Sequence, residues 1–388
     1  MSRFARARGS EQRATSLELF YDLVFVFAIT QISHHLLGHL TWTGAGQSAL
    51  LLLVVWWSWN YTTWVTNELD PDSPVVRVLM IALMLGSLMM AVAIPDAFGA
   101  DALLFTGCYV AIQVGRHTFL TFVAAAPGEI ERERAGRILT WFVVAGVFWI
   151  AGALADGTAR TVLWLIALAI DYGAPLVVFW VPWRPRLHGD AWQVETSHFS
   201  ERFGLFIIIA LGESIVTTGA TTSELHLDNA TAVAFATAFL TTAGLWWLYF
   251  TAVARIAEQQ LERAADRTTL ARDAYTYLHV VLVAGVVVSA VGDELVIAHP
   301  RASLSTAEVI AVVGGPALYL LAHALFRLRI AGTLSVRRFA AAVACALIGA
   351  IGSGADALVL GLLVLVVVVG VIGLDQRAAA RHAGHRTG

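Results

Sequence analysis

Four ionisable residues, Asp22, Arg116, Asp171 and Glu213, stand inside long apolar runs of a chain of 388 residues. A charged group at such depth in hydrocarbon is costly, so each is expected to face a protein interior and to have a partner there. Two chemistries follow from that expectation. A fixed acid–base pair would lock helices together, whereas a carboxylate in a low-dielectric site can take up and release a proton or bind a small cation. Spacing gathers further polar groups around these four. Glu18 and Asp22 are four residues apart and share a helical face, and Gln31, His34, His35 and His39 follow toward the far end of the same run. Tyr109, Gln113, Arg116 and His117 make one polar stripe, and His198, Arg202, Phe206, Ile209 and Glu213 make another. Arg116 is the strongly buried cation and Asp22 lies at similar depth, so a pair of Arg116 with Asp22 or Glu18 is the simplest compensation. In this reading Glu213 and Asp171 exchange a proton or cation, Asp22 and Arg116 form a gate, and Gln31 and Gln113 line the path.

Each group also has a plainer explanation. Glu18, Glu201 and Arg202 sit at a membrane edge, where helix capping or headgroup contact accounts for them. Asp293, Glu294 and the histidines at 34, 35 and 39 lie near the opposite boundary, where interfacial water solvates them. Trp56, Trp57, Trp59, Trp64, Trp246 and Trp247 read as belt and packing aromatics. His35 and His39 lack a third ligand, so no metal is expected, and no cofactor is implied. Cys108 and Cys345 lie in apolar stretches and read as two small buried hydrophobes.

The elements that must position these residues follow from composition. The chain is 58% hydrophobic and 14% charged, with mean hydropathy +0.72, whereas soluble domains carry about 25% charged residues. All 25 basic residues are arginine. Without lysine there is no phosphate-binding P-loop lysine, no Schiff base and no kinase lysine. The net charge of -3 excludes a nucleic-acid binder, which needs a basic surface. Scanning for runs of about 20 apolar residues predicts an all-α, polytopic transmembrane bundle of about twelve helices, near 16-38, 47-66, 77-95, 102-123, 138-155, 161-182, 203-220, 230-253, 275-298, 309-328, 336-353 and 356-374. The basic start MSRFARARGSEQR is followed by a run carrying Glu18 and Asp22, which reads as a retained first helix and not a signal peptide. Arginine gathers in cytoplasmic loops, and this spacing puts 22 of the 25 on one side, leaving Arg160 and Arg301 outside and Arg116 within a span. Both termini are therefore expected in the cytoplasm of a bacterial cell. The whole chain reads as a single integral membrane domain: a first six-helix half over 1–182, a cytoplasmic linker over 183–202, a second half over 203–374 and a tail over 375–388. Glu18-Leu-Phe20 aligns with Glu201-Arg-Phe203, each before an apolar run, as two parallel repeats would.

The segments SLELFYDLVFVFAITQISHHL and SERFGLFIIIALGESIV resemble the bacterial low temperature requirement A (LtrA) membrane family, and the resemblance spans essentially the whole chain. Carried onto this sequence, the motif residues are Glu18, Phe20, Asp22, Phe25, Glu201, Arg202, Phe203, Gly204, Gly212 and Glu213. The resemblance implies a polytopic inner-membrane protein linked by name to growth in the cold. With no ATPase motif, the leading expectation is a gradient-driven secondary transporter or a proton/ion-coupled permease, in which His198 and the motif residues border the gate. The alternatives are an intramembrane enzyme acting on lipid or isoprenoid, and a membrane sensor or scaffold. Expected partners are the bilayer and a small molecule or ion of unspecified class, with no nucleic acid; a homo-oligomer is compatible with this reading.

Overall fold

The computed structural model describes residues 4, 13–126, 128–187, 192, 194–352 and 354–384. Expectations resting on Arg3, Arg6, Arg8 and Arg386, and on part of the 183–202 connection, lie outside the described residues. Among the described residues the chain is all-α and forms no strand. A helix overlies each of the twelve expected segments, and nine helical stretches are long and apolar enough to cross a membrane. The segments outside the nine are α2 (Trp42–Thr66), α4 (Ala102–Phe119) and α13 (Val336–Ile351). For α13 the reason is length, 16 residues, against about 20 for a full crossing. For α2 and α4 it is polarity, since they carry Ser58, Asn60, Thr62 and Thr63, and Gln113, Arg116 and His117.

The helices fall into two compact units, the first comprising residues 1–31 and 50–202, the second 32–49 and 203–388. The boundary runs through α1 (Ser16–Gly38) and α7 (Thr196–Glu224), which each contribute to both units.

The first unit holds α2 from residue 50 onward, α3 (Pro74–Val92), α4, α5 (Ile130–Leu154) and α6 (Gly157–Gly173) with the opening turns of α1 and α7. Its core is aromatic. Trp57 stacks on Tyr172 with ring centroids 3.8 Å apart, Tyr61 meets Phe142 edge-on, and Trp64 meets Phe199 likewise. Such rings bury a large area and prefer these offset or edge geometries. At the end of α4 the chain widens into a π-helical turn over Leu120–Ala124.

The second unit holds α8 (Asn229–Leu248), α9 (Ala254–Arg263), α10 (Arg267–Ala271), α11 (His279–Ala298), α12 (Thr306–Ala331), α13 and α14 (Ala357–Gly384). Side-chain caps mark several starts. Asp228 accepts from Thr231 N–H at 2.8 Å and Asp266 from Thr269 N–H at 2.9 Å, and those backbone donors hold both carboxyls below the usual range. Ser305 and Glu308 close a reciprocal capping box at α12.

The central seam of this unit, α11 against α12, depends on absent side chains. A Cβ on Gly292 would lie 2.7 Å from Val312 Cα, and one on Gly285 would lie 2.6 Å from the Tyr319 backbone nitrogen. Gly285 and Gly292 stand seven apart, on one face of the helix. Small residues let two backbones approach where no hydrophobic force joins helices in lipid. Gly292→Val is therefore expected to force the helices apart at a cost of about 1–3 kcal/mol, read as a lowered melting temperature of the purified protein in detergent. Gly212, whose added Cβ meets nothing within 4 Å, supplies the control: Gly212→Ala melts with wild type.

Candidate functional site

The opening turns of α1 and α7 carry the densest polar centre in the first unit. Both helices place ionisable residues four apart, and so on one face. The acids lie on α1, Glu18 and Asp22; the bases lie on α7, His198 and Arg202. They pair in order. His198 Nε2 lies 2.9 Å from Glu18 Oε1, and the Arg202 guanidinium donates to both oxygens of Asp22 at 2.5 and 2.8 Å. All four side chains are buried, none more than 2% exposed. The two-pronged geometry matches guanidinium to carboxylate and is the strong form of such a pair.

Neighbouring groups occupy most of what the pairs leave open, the Arg202 Nε–H excepted. Trp59 Nε1–H donates to Asp22 Oδ1 at 2.8 Å, and its ring lies under the Arg202 guanidinium, 5.8 Å from its carbon. Thr15 donates to Glu18 Oε2 through its backbone N–H and its hydroxyl, each at 2.9 Å. On the far side of His198, Asn67 Nδ2 sits 3.1 Å from Nδ1. Asn67 also bonds the Glu195 backbone in both directions, at 3.2 and 3.0 Å, which fixes the chain just before α7. Glu201 is exposed, and its carboxylate accepts from Ala14 N–H at 2.8 Å.

The expected pair of Arg116 with Asp22 or Glu18 does not form. Asp22 is taken by Arg202, and the Arg116 guanidinium is held by neutral groups: Gln113 Oε1, Thr62 Oγ1 at 2.8 Å, and the Ser58 carbonyl at 3.3 Å. The α4 stripe is as expected, since Tyr109, Gln113, Arg116 and His117 are all buried. Its other end reaches Asp171 on α6. Tyr109 donates its hydroxyl to Asp171 Oδ2 at 2.7 Å and Trp149 its indole N–H to the same oxygen at 2.9 Å, while Asp171 Oδ1 has no hydrogen-bond partner. No cation pairs with this carboxylate among the described residues.

In the second unit Glu213 is fully buried on α7 and accepts from Thr217 Oγ1 at 2.6 Å. Phe203 is buried against Tyr275 and His279. Gly204 faces Phe250 at ordinary contact distance. Phe25 and Phe206 are buried, but Phe20 is 58% exposed and turns away from the acids beside it. Gln31 is half-buried. His34 and His39 are exposed; the His39 ring stacks on His35 at 4.6 Å. Among the described residues no group of three or more His, Cys, Asp or Glu could hold a metal. Cys108 is half-buried, Cys345 buried, and both are free thiols.

Sequence reasoning missed Trp59, Thr62, Asn67, Tyr109's bond to Asp171, and Trp149. Trp59 and its neighbours Trp56 and Trp57 are fully buried, the packing role of the two expected for these tryptophans, whereas Trp246 and Trp247 are exposed. The available signal was the run of Ser58, Asn60, Thr62, Thr63 and Asn67 among tryptophans, too polar for a lipid face.

The sequence profile of the family described as bacterial low temperature requirement A protein (LtrA) matches residues 13–373. An uncharacterized protein of Rhizobium meliloti (strain 1021) is 34% identical over 333 residues, covering 86% of this chain and 79% of that protein. No solved structure matches the chain.

Removing one partner of a buried ion pair strands the other charge, at about 3–5 kcal/mol. Asp22→Asn and Arg202→Gln are each expected to lower the melting temperature of the purified protein sharply. The apolar double replacement Asp22→Leu with Arg202→Met is expected to recover most of the loss, a coupling that a double-mutant cycle of thermal unfolding measures.

Proposed function

The chain belongs to the bacterial low temperature requirement A family, and on that premise we propose that it is a gradient-driven secondary transporter, a proton- or ion-coupled permease of the bacterial cytoplasmic membrane. The observation that carries the proposal is Asp171. Its carboxylate is 1% exposed, one oxygen takes two neutral donors and the other takes none. A structural carboxylate at such depth gains most from a fixed cation. Asp171 has none, so the missing positive charge is left to a mobile species, a proton or a small cation. Glu213, buried beside Thr217, is the second carboxylate of the proposed route, and Gln31 and Gln113 line the path. The gate residues are Asp22 with Arg202 and Glu18 with His198, in place of Asp22 with Arg116. Twelve crossings in two six-helix halves, with both termini cytoplasmic, complete the proposal.

A second reading, a sensor or scaffold, is favoured by one feature: the two α1–α7 pairs close on each other, leaving only the Arg202 Nε–H over, as a static lock would. Flux separates the two. In proteoliposomes under an imposed pH or cation gradient, wild type is expected to dissipate the gradient, and Asp171→Asn and Glu213→Gln to do so at least tenfold more slowly. Equal rates in all three, or no flux in any across the cations tried, would sink the permease and leave the scaffold.

The topology has its own measurement. With Cys108 and Cys345 replaced by serine, single cysteines at the exposed Thr158 and Arg301 are expected to react with an impermeant maleimide added to intact cells, and one at Arg263 only after lysis.

A further inference from the structure

Six arginines are buried among the described residues: Arg116, Arg134, Arg137, Arg160, Arg202 and Arg338. Five of them face a carboxylate. Arg134 pairs with Glu68, Arg137 with Glu133 at 2.5 Å, Arg160 with Asp156 at 3.3 Å, Arg202 with Asp22 at 2.5 Å and Arg338 with Asp375 at 2.9 Å. Arg116 is the sixth; it is 0% exposed, and among the described residues no carboxylate pairs with it. The protein thus compensates buried guanidinium groups wherever they occur, with one exception.

The surroundings of that exception have the chemistry of a receptor for negative charge. Thr62 Oγ1 accepts from Arg116 at 2.8 Å and from Tyr21 at 2.9 Å, and passes its own proton to the Ser58 carbonyl at 3.1 Å. The face of Tyr61 lies 5.6 Å from the guanidinium carbon. These contacts orient the guanidinium without neutralising it. Three donors on or beside it are buried and without a hydrogen-bond partner: Arg116 Nε–H, the Ser58 hydroxyl and the Gln113 side-chain amide nitrogen. All three can donate. A cation is repelled here, and a guanidinium does not give up its proton, so the species that completes the site is an anion.

We propose that Arg116, with Ser58, binds a small monovalent anion inside the first unit, and that such an anion is the substrate of the permease. The second clause rests on the transport reading; the first stands without it. The occupant supplies the countercharge that each of the other five buried arginines obtains from the chain. A small carboxylate, nitrate and chloride share the chemistry the site asks for, an accepting atom of full negative charge for the Nε–H and the serine hydroxyl. Their order of affinity distinguishes a two-oxygen ligand from a halide.

The test is binding, measured apart from flux. Purified full-length protein in detergent is held at constant ionic strength in sodium gluconate, which is replaced stepwise by acetate, nitrate or chloride while thermal unfolding and tryptophan fluorescence are followed. Wild type is expected to show a saturable rise in melting temperature of several degrees with at least one of the three. Arg116→Gln is expected to abolish the rise and, having lost an uncompensated buried charge, to melt no lower than wild type in gluconate alone. Arg116→Lys, which keeps the charge, and Ser58→Ala, which removes a donor, are expected to weaken binding at least fivefold; they carry the test should Arg116→Gln fail to fold. No saturable shift in wild type, or an undiminished one in Arg116→Lys and Ser58→Ala, overturns the site. Intact binding with no flux overturns the permease alone, and proton flux without anion binding overturns the site alone.

Discussion

The paired contact of Asp22 with Arg202 constrains more of the first unit than any other. A carboxylate and a guanidinium removed from water lose several kcal/mol of solvation each, and recover it only where geometry is close to ideal and every remaining donor and acceptor is used. That demand propagates. The bidentate bond fixes the rotation of α7 against α1, because one residue of slippage turns a helix by about 100° and carries the group off the face. The second pair, one turn earlier on both helices, repeats the constraint at Glu18 and His198. Trp59 then brings α2 to the same point through its indole N–H, and Asn67 ties the chain before α7 to the end of α2. All the acids belong to one helix and all the bases to the other, so exchanging partners would set each group against a neighbour at the wrong distance.

The second unit is joined by different physics. Its central helices meet through glycine, where Gly285, Gly292 and Gly315 let backbones approach, and its core is a cluster of valine, leucine, isoleucine and alanine from α8, α11, α12 and α14. Such packing relies on dispersion between well-fitted surfaces, which lipid does not supply equally. A seam of this kind tolerates neither a larger residue nor a charge.

Much of this could be read from the sequence, and the rest was hidden for a definite reason. Periodicity names the face of a helix, so the α7 stripe of His198, Arg202, Phe206, Ile209 and Glu213 and the α4 stripe of Tyr109 through His117 turn inward as expected. It does not name the helix that lies opposite. By depth the sequence points Asp22 to Arg116 and leaves Arg202 at the membrane edge; only packing decides, and the α1–α7 juxtaposition gives Asp22 to Arg202. Tryptophan is ambiguous for a related reason. The indole serves equally at a lipid headgroup and as a buried donor, and Trp59 and Trp149 do the second. Counting crossings has the opposite weakness, because α2 and α4 are the polar helices that carry the site, and the polarity that makes them informative removes them from a count based on hydropathy.

Among the described residues of the first unit two buried charges, Arg116 and Asp171, have no fixed opposite. Arg116 sits on the face of α4 that also carries Tyr109, and Tyr109 bonds to Asp171. Seven residues separate Tyr109 from Arg116, a rise of about 10 Å. Two opposite charges could have been joined by moving one of them about two turns, as the α1–α7 pairs are joined, and a bundle selected for rigidity alone would gain by it. This fold holds them apart instead, each oriented by neutral donors and acceptors, with an unsatisfied atom left on each side: Oδ1 of Asp171 and Nε of Arg116. Separation of that kind gives up static stability. It sets the closed pairs at one end of α1 and α7 apart from two buried charges, on α4 and α6, that the fold leaves open, and the proposed exchange of mobile charge belongs to the second.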